Sequence, residues 1–181
     1  MQQDYHDILN FWFQESTKAE RWQKNSEYDN MIRHRFLDLY IKAVAGELYQ
    51  WREIPEGRLA EIILLDQFSR NMFRDTERAF TTDMLALALA QTAIQLNLDR
   101  IFPDEQLVYL YMPYMHSESK IIHEIAVVLF SKKGLEENLE YEIKHKTIID
   151  QFGRYPHRNA ILGRKSTPEE IAFLKTKNAY F

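Results

Sequence analysis

Between Phe152 and Arg164 the chain reads FGRYPHRNAILGR, which sets Arg154, His157, Arg158 and Arg164 in thirteen positions without one acidic residue, in a protein of formal net charge -4. Guanidinium groups grip carboxylate or phosphate oxygens in pairs, and Asn159 adds an amide donor among them. The chemistry such a stretch can do is recognition of a small anion. His145 and His157 add imidazoles that could act as general bases, with Asp66 or Glu118 to orient them and arginine to stabilise developing negative charge. These four are the catalytic candidates. A metal would need His116, His145, His157 and a carboxylate, but the neighbouring arginines oppose a cation, so neither a metal nor another cofactor is expected. No phosphate-binding glycine loop or serine elbow occurs in the sequence, which sets aside simple nucleotide hydrolases and serine esterases. A plainer reading competes with the anion site: Arg154, Arg158 and Arg164 neutralise Asp66, Glu118 and helix C-termini.

Polar groups also fall where helix faces should be apolar. In LAEIILLDQFSRNMFR, Leu59, Ile62, Ile63 and Phe73 define a stripe that takes in Asp66 and Arg70, with Gln67 next to Asp66 and Arg74 at the margin. Asp66 and Arg70 stand four apart, close enough to pair. His145 projects among Tyr141, Ile148 and Phe152, and Glu118, just after His116, lies on the side of Ile122, Ile125 and Leu129. Three helices with an ionisable group on the buried side, and the basic loop as a fourth wall, predict a shared polar pocket.

The elements that must position these groups are helices. Proline and glycine punctuate periodic segments at Pro55, Gly57, Pro103, Pro113, Gly134, Gly153, Pro156, Gly163 and Pro168, with Gly46 alone inside one. The expected helices are 4–13, 26–49, 56–73, 82–96, 104–112, 117–132, 135–152 and 167–176. In the second, Tyr28, Ile32, Phe36, Leu39 and Ala43 line one face. Thr167, Pro168 and Glu170 form a capped helix start, while Gly134 and Gly153 suit left-handed helix ends. No segment alternates like a half-buried strand, so the fold class is all-α, with stacked antiparallel helix pairs.

A chain of 181 residues, 45% apolar and 28% charged, fits one domain over 1–181. It offers no membrane-length apolar window and no secretory signal in MQQDYHDILNFWF. With no cysteine it can hold neither disulfide nor thiolate, and a cytoplasmic place is expected. A pI near 5.9 argues against general nucleic-acid binding, so the basic loop is a local device.

Read together, NFWF at 10–13, LLDQFSRNMFR at 64–74, AFTTD at 79–83, MPYMHSE at 112–118 and HKTIIDQFGRYPHRNAILGRKSTPEE at 145–170 resemble the bacterial domain of unknown function 924 family over nearly the whole chain. The resemblance implies a tetratricopeptide-like α-α superhelix and no particular reaction. Its motif positions are Asp66, Gln67, Arg70, Arg74, His116, Glu118, His145, Arg154, His157, Arg158, Asn159 and Arg164; one departure is His123, where the family pattern has glutamine. The expected partner is a small phosphate- or carboxylate-bearing ligand or an acidic peptide. Three readings follow: an anion-binding pocket built from Gln67, Arg70, Arg74, His116, Arg154, Arg158, Asn159 and Arg164; a peptide-binding module; and an enzyme with a histidine base. Neither the ligand nor the oligomeric state is written in the sequence.

Overall fold

The computed structural model describes residues 4–177, and among them every element is helical, with no strand. The fold class is all-α, and no described helix is long and apolar enough to cross a membrane. By its internal contacts the chain divides into two compact units: one runs to Arg74 and resumes over Arg78–Pro113, the other comprises Asp75–Glu77 and the chain from Tyr114 on.

In the first unit, α1 (Tyr5–Asn10) starts at an Asp4 cap and widens into a π-helical turn, Phe11–Glu15. The short α2 (Lys18–Trp22) follows, then α3 (Ser26–Val44) and α4 (Pro55–Ile63). A second π-helical turn, Leu64–Phe68, joins α4 without a break to α5 (Ser69–Met72). α6 (Asp83–Gln95) and α7 (Asp104–Met115) complete the set, the last residues of α7 being counted with the second unit. The face expected on α3 is buried in full: Tyr28, Ile32, Phe36, Leu39 and Ala43. Its Phe36 meets Phe68 and Phe11 at ring-centroid distances of 5.0 and 5.2 Å, an aromatic core contributed by both π turns and α3.

Four boundaries differ from the sequence expectation. α2 lies outside the expected helices, although Thr17 and Glu20 form the same capping box as Thr167 and Glu170. α3 stops at Val44 because the chain turns through Gly46 at φ +75, a left-handed conformation that ends the helix. Gly57 lies inside α4, where a Cβ would come within 2.3 Å of the Trp51 carbonyl oxygen, so close approach and not helix breaking requires it. α7 runs through Pro113, forfeiting one N–H.

The second unit holds α8 (Lys120–Phe130), α9 (Glu136–Phe152) and α10 (Pro168–Phe173). Gly153, at φ +69, ends α9 as expected. Ile148, Ile149 and Tyr155 form a small core, with Phe152 and Phe173 packed on it. α8 begins after Glu118, which therefore stands in the preceding loop and not on the helix. Its buried face is also turned from the expected one: His123, Ala126 and Phe130 are inside, while Ile125 is exposed.

Candidate functional site

Tyr155 is the hub of the second unit. It follows Gly153, whose left-handed turn sends the chain back over the end of α9, and its side chain is fully buried. Its hydroxyl donates to the Met115 carbonyl at 2.6 Å. Around its ring stand His123, His145 and His157, at centroid distances of 6.3, 5.7 and 5.4 Å, and the Arg158 guanidinium at 4.5 Å over the face. Arg158 also donates to the carbonyl oxygen of the half-buried His116, at 3.2 Å. Four of the chain's six histidines thus belong to this neighbourhood.

His145 is half-buried, and its Nδ1 lies 2.8 Å from the Tyr141 carbonyl oxygen. A carbonyl only accepts, so Nδ1 carries the hydrogen and Nε2 the lone pair. Burial pulls the His145 pKa down to about 3 against the effect of that bond, and the charges of His116, His123 and Arg158 push the same way as burial. His145 is neutral at neutral pH.

His123 makes the tightest arrangement. Its Nε2 faces the Ser117 carbonyl oxygen at 2.8 Å and so bears a hydrogen; its Nδ1 is 2.6 Å from Glu142 Oε1, and both side chains are 0% exposed. Between Nδ1 and Oε1 there is room for one proton, held as imidazolium and carboxylate or as imidazole and acid. The pair is neutral overall in either form. Burial raises the Glu142 pKa against the His123 bond, and Oε2 of Glu142 is buried with no hydrogen-bond partner among the described residues.

The remaining arginines of the loop hold carboxylates of their own unit. Arg164 donates to both oxygens of Glu118 at 2.6 and 2.9 Å and to the Tyr155 carbonyl at 3.1 Å, while the Tyr155 N–H donates to Glu118 at 2.8 Å. Burial would raise the Glu118 carboxyl, but these bonds and the Arg158 charge outweigh it and hold the pKa below the usual value. Arg154 grips Glu170 through Nε at 2.7 Å and Nη2 at 2.9 Å, and Asn159, fully buried, donates to the same carboxylate at 3.1 Å. The Arg154 bonds, outweighing desolvation, bring Glu170 down to about 2. Arg154 and Arg164 are therefore fastened to Glu170 and Glu118, which the plainer reading anticipated for Glu118.

Asp66, Gln67, Arg70 and Arg74 belong to the first unit. The π turn buries both Asp66 and Gln67, and it leaves the Leu65 carbonyl to be met by Ser69 Oγ at 2.7 Å and Thr82 Oγ1 at 2.6 Å. Arg70 lies 3.2 Å from Asp66 Oδ1, donates to the Asp66 carbonyl at 2.6 Å and pairs with Asp83 at 2.9 Å. Arg74 donates to Asp29 at 2.8 Å, and Gln67 reaches the Met112 sulfur at 3.2 Å. A double-mutant cycle of Asp66→Asn and Arg70→Gln is expected to give a coupling of about 1 kcal/mol or more, since Asp66 is fully buried. Additive effects in urea denaturation would refute the pairing. At the other bridge, Arg164→Ala is expected to cost about 2–4 kcal/mol by leaving Glu118 half-buried without its clamp, and Glu118→Gln in the same background to recover most of it, both read from urea midpoints.

Sequence reasoning did not single out Glu142, Glu170 as an arginine partner, Asp29 or Asp83. Its signal for Glu142 was masked because the chosen face of α9 ran through Tyr141, which is exposed, one residue out of phase with Glu142. His123 stands out in the sequence only as a departure from the family's glutamine.

A family model described as bacterial protein of unknown function (DUF924) matches residues 8–178. A solved structure of a protein of unknown function from Agrobacterium tumefaciens is similar at 36% identity, covering 94% of this chain and 96% of that one, with a TM-score of 0.90. No curated protein matches the chain.

Proposed function

The chain belongs to the DUF924 family of bacterial proteins of unknown function, which brings no reaction with it, and from the site itself we propose that the second unit binds a small phosphate- or carboxylate-bearing ligand beside Tyr155. The observation that carries this reading is the gathering of His145, His157 and Arg158 around one buried ring, with His116 alongside. Arg158 and the neighbouring imidazoles join burial in lowering the His145 pKa, and surroundings that oppose a further positive charge support an anion as ligand. Arg158, His116 and His157 contact the ligand; Arg154, Arg164 and Asn159, bound to Glu170 and Glu118, hold the loop in position. Gln67, Arg70 and Arg74 do the corresponding work in the first unit. A catalytic reading rests on His145, whose pinned Nδ1–H leaves Nε2 unprotonated, but the pKa of about 3 makes that nitrogen a weak base and so favours the binding reading. The tetratricopeptide-like reading, with an acidic peptide as partner, becomes an outcome of the test. The cysteine-free composition supports a cytoplasmic setting.

The test is thermal unfolding at pH 7 with chloride, inorganic phosphate, sulfate or citrate at matched ionic strength. At least one multivalent anion is expected to raise the midpoint saturably, and Arg158→Gln to abolish the rise. No shift with any of them, or a shift unchanged in Arg158→Gln, overturns the small-anion reading. A response to acidic peptides alone moves the assignment to an interaction module.

A further inference from the structure

Five of the eleven residues of α8 are isoleucine or valine, whose stiff branched side chains suit a helix only where burial offsets the freedom they lose. Three of them face outward: Ile121 is 70%, Ile125 42% and Val128 73% exposed. They follow at steps of four and three, and a further step of four reaches the exposed Lys132, one residue past the C-cap Ser131. All four therefore lie along one line. The partly exposed Ile122 and Leu129 stand on one flank of it and Glu124 on the other. A contiguous apolar stripe of this kind, rimmed by charge, marks a contact surface.

We propose that this stripe pairs with the same stripe of a second copy of the chain, the two α8 helices running antiparallel about a two-fold axis between Ile125 and Val128. The spacing four, three, four reads the same in either direction, so a reversed copy presents matching side chains at matching levels. Ile125 meets Val128 of the other chain, and Ile121 lies under the aliphatic stem of its Lys132. Each contact occurs twice. The charges agree with that register: it sets Glu124 three residues, about 4.5 Å along the axis, from Lys132 of the copy. Each chain thus gives one carboxylate and receives one ammonium at the rim. A membrane surface fits the stripe less well, because Glu124 stands on its edge and would face anionic headgroups. A helix face of this length falls short of the roughly 800 Å² per partner of a standard interface. The dimer is therefore expected to exchange with monomer in the micromolar range and not to be permanent.

The experiment is sedimentation of the full chain from about 10 µM to about 1 mM, with circular dichroism to show that each variant keeps the wild-type helical spectrum. A monomer–dimer equilibrium is expected. Val128→Asp is expected to weaken it more than about tenfold, by setting a carboxylate against Ile125 of the copy. Glu124→Lys puts like charges together and is expected to weaken it about fivefold, and the double reversal Glu124→Lys, Lys132→Glu to return it to within about twofold of wild type. A chain that stays monomeric throughout, a dimer indifferent to Val128→Asp, or a double reversal no tighter than Glu124→Lys alone overturns the proposal. So does a monomer that uses the stripe to bind phosphatidylglycerol vesicles.

Discussion

His123→Ala is expected to lower the unfolding free energy by about 3–5 kcal/mol, the cost of stranding one member of a buried pair, and the melting midpoint by about 10 °C. Glu142 is fully enclosed, its Oε1 has His123 as its partner, and its Oε2 has none among the described residues, so the loss cannot be made up by rotating the carboxyl. The imidazole also leaves a void and releases the Ser117 carbonyl. His123→Gln retains a donor of similar reach and is expected to cost less than half as much. The double variant His123→Ala, Glu142→Ala is expected to be less destabilised than the sum of the singles. Urea denaturation of the wild type and of the four variants, Glu142→Ala included, measures these differences. A His123→Ala loss below about 1 kcal/mol would sink the idea of a shared proton at the centre of this unit.

The pH dependence of stability is expected to be dominated near neutrality by His145. Its folded pKa, about 3, lies far below the ordinary value of 6.5, so in that interval the unfolded chain binds a proton that the native chain does not. Stability from this residue is present in full above pH 6.5 and lost as pH falls toward 3. Allowing for the half-burial of the ring, the loss from pH 7 to pH 5 is about 1–2 kcal/mol. Glu142 works in the opposite sense: with its pKa raised, its contribution is complete at acid pH and disappears as pH rises through the folded value. Glu118 and Glu170, both lowered, lose their contributions only below the ordinary carboxylate range. The difference between wild type and His145→Gln therefore isolates the histidine. Denaturation at pH 7 and pH 5 is expected to show a steeper loss in wild type, and equal slopes would remove His145 from the account.

The charged pairs were legible in the sequence wherever spacing within one helix carried them, and least legible where a partner came from elsewhere. Asp66 and Arg70 are four apart and meet, but the second carboxylate on Arg70 is Asp83, thirteen residues on, for which the helix pattern gives no sign. α3 announces its face because Tyr28, Ile32, Phe36, Leu39 and Ala43 recur at three- and four-residue steps. α8, KIIHEIAVVLF, sets Lys120, His123 and Glu124 on one side, a phase that would leave His123 outside; Glu142 on α9 decides otherwise by taking His123 inward. That rotation exposes Ile121, Ile125 and Val128. The basic loop was recognised as a cluster of donors, and four of its members do converge on neighbouring residues. What the sequence could not convey is that Arg154 and Arg164 are held by internal carboxylates, because Glu118 comes from the loop before α8 and Glu170 from α10, at separations no helical repeat marks.

The π turn at Leu64–Phe68 also bears on when its geometry can arise. A segment rich in leucine and isoleucine has every local reason to continue as α-helix, and the wider turn survives because hydroxyls and a sulfur attend to it: Ser69 from the turn that follows and Thr82 from farther along at the Leu65 carbonyl, and Met112 at Gln67. Excised as a peptide, residues 55–72 would lack two of these partners. The placement of Asp66 and Gln67 is thus a property of the assembled unit, acquired when distant segments arrive, and not one that the helix brings with it.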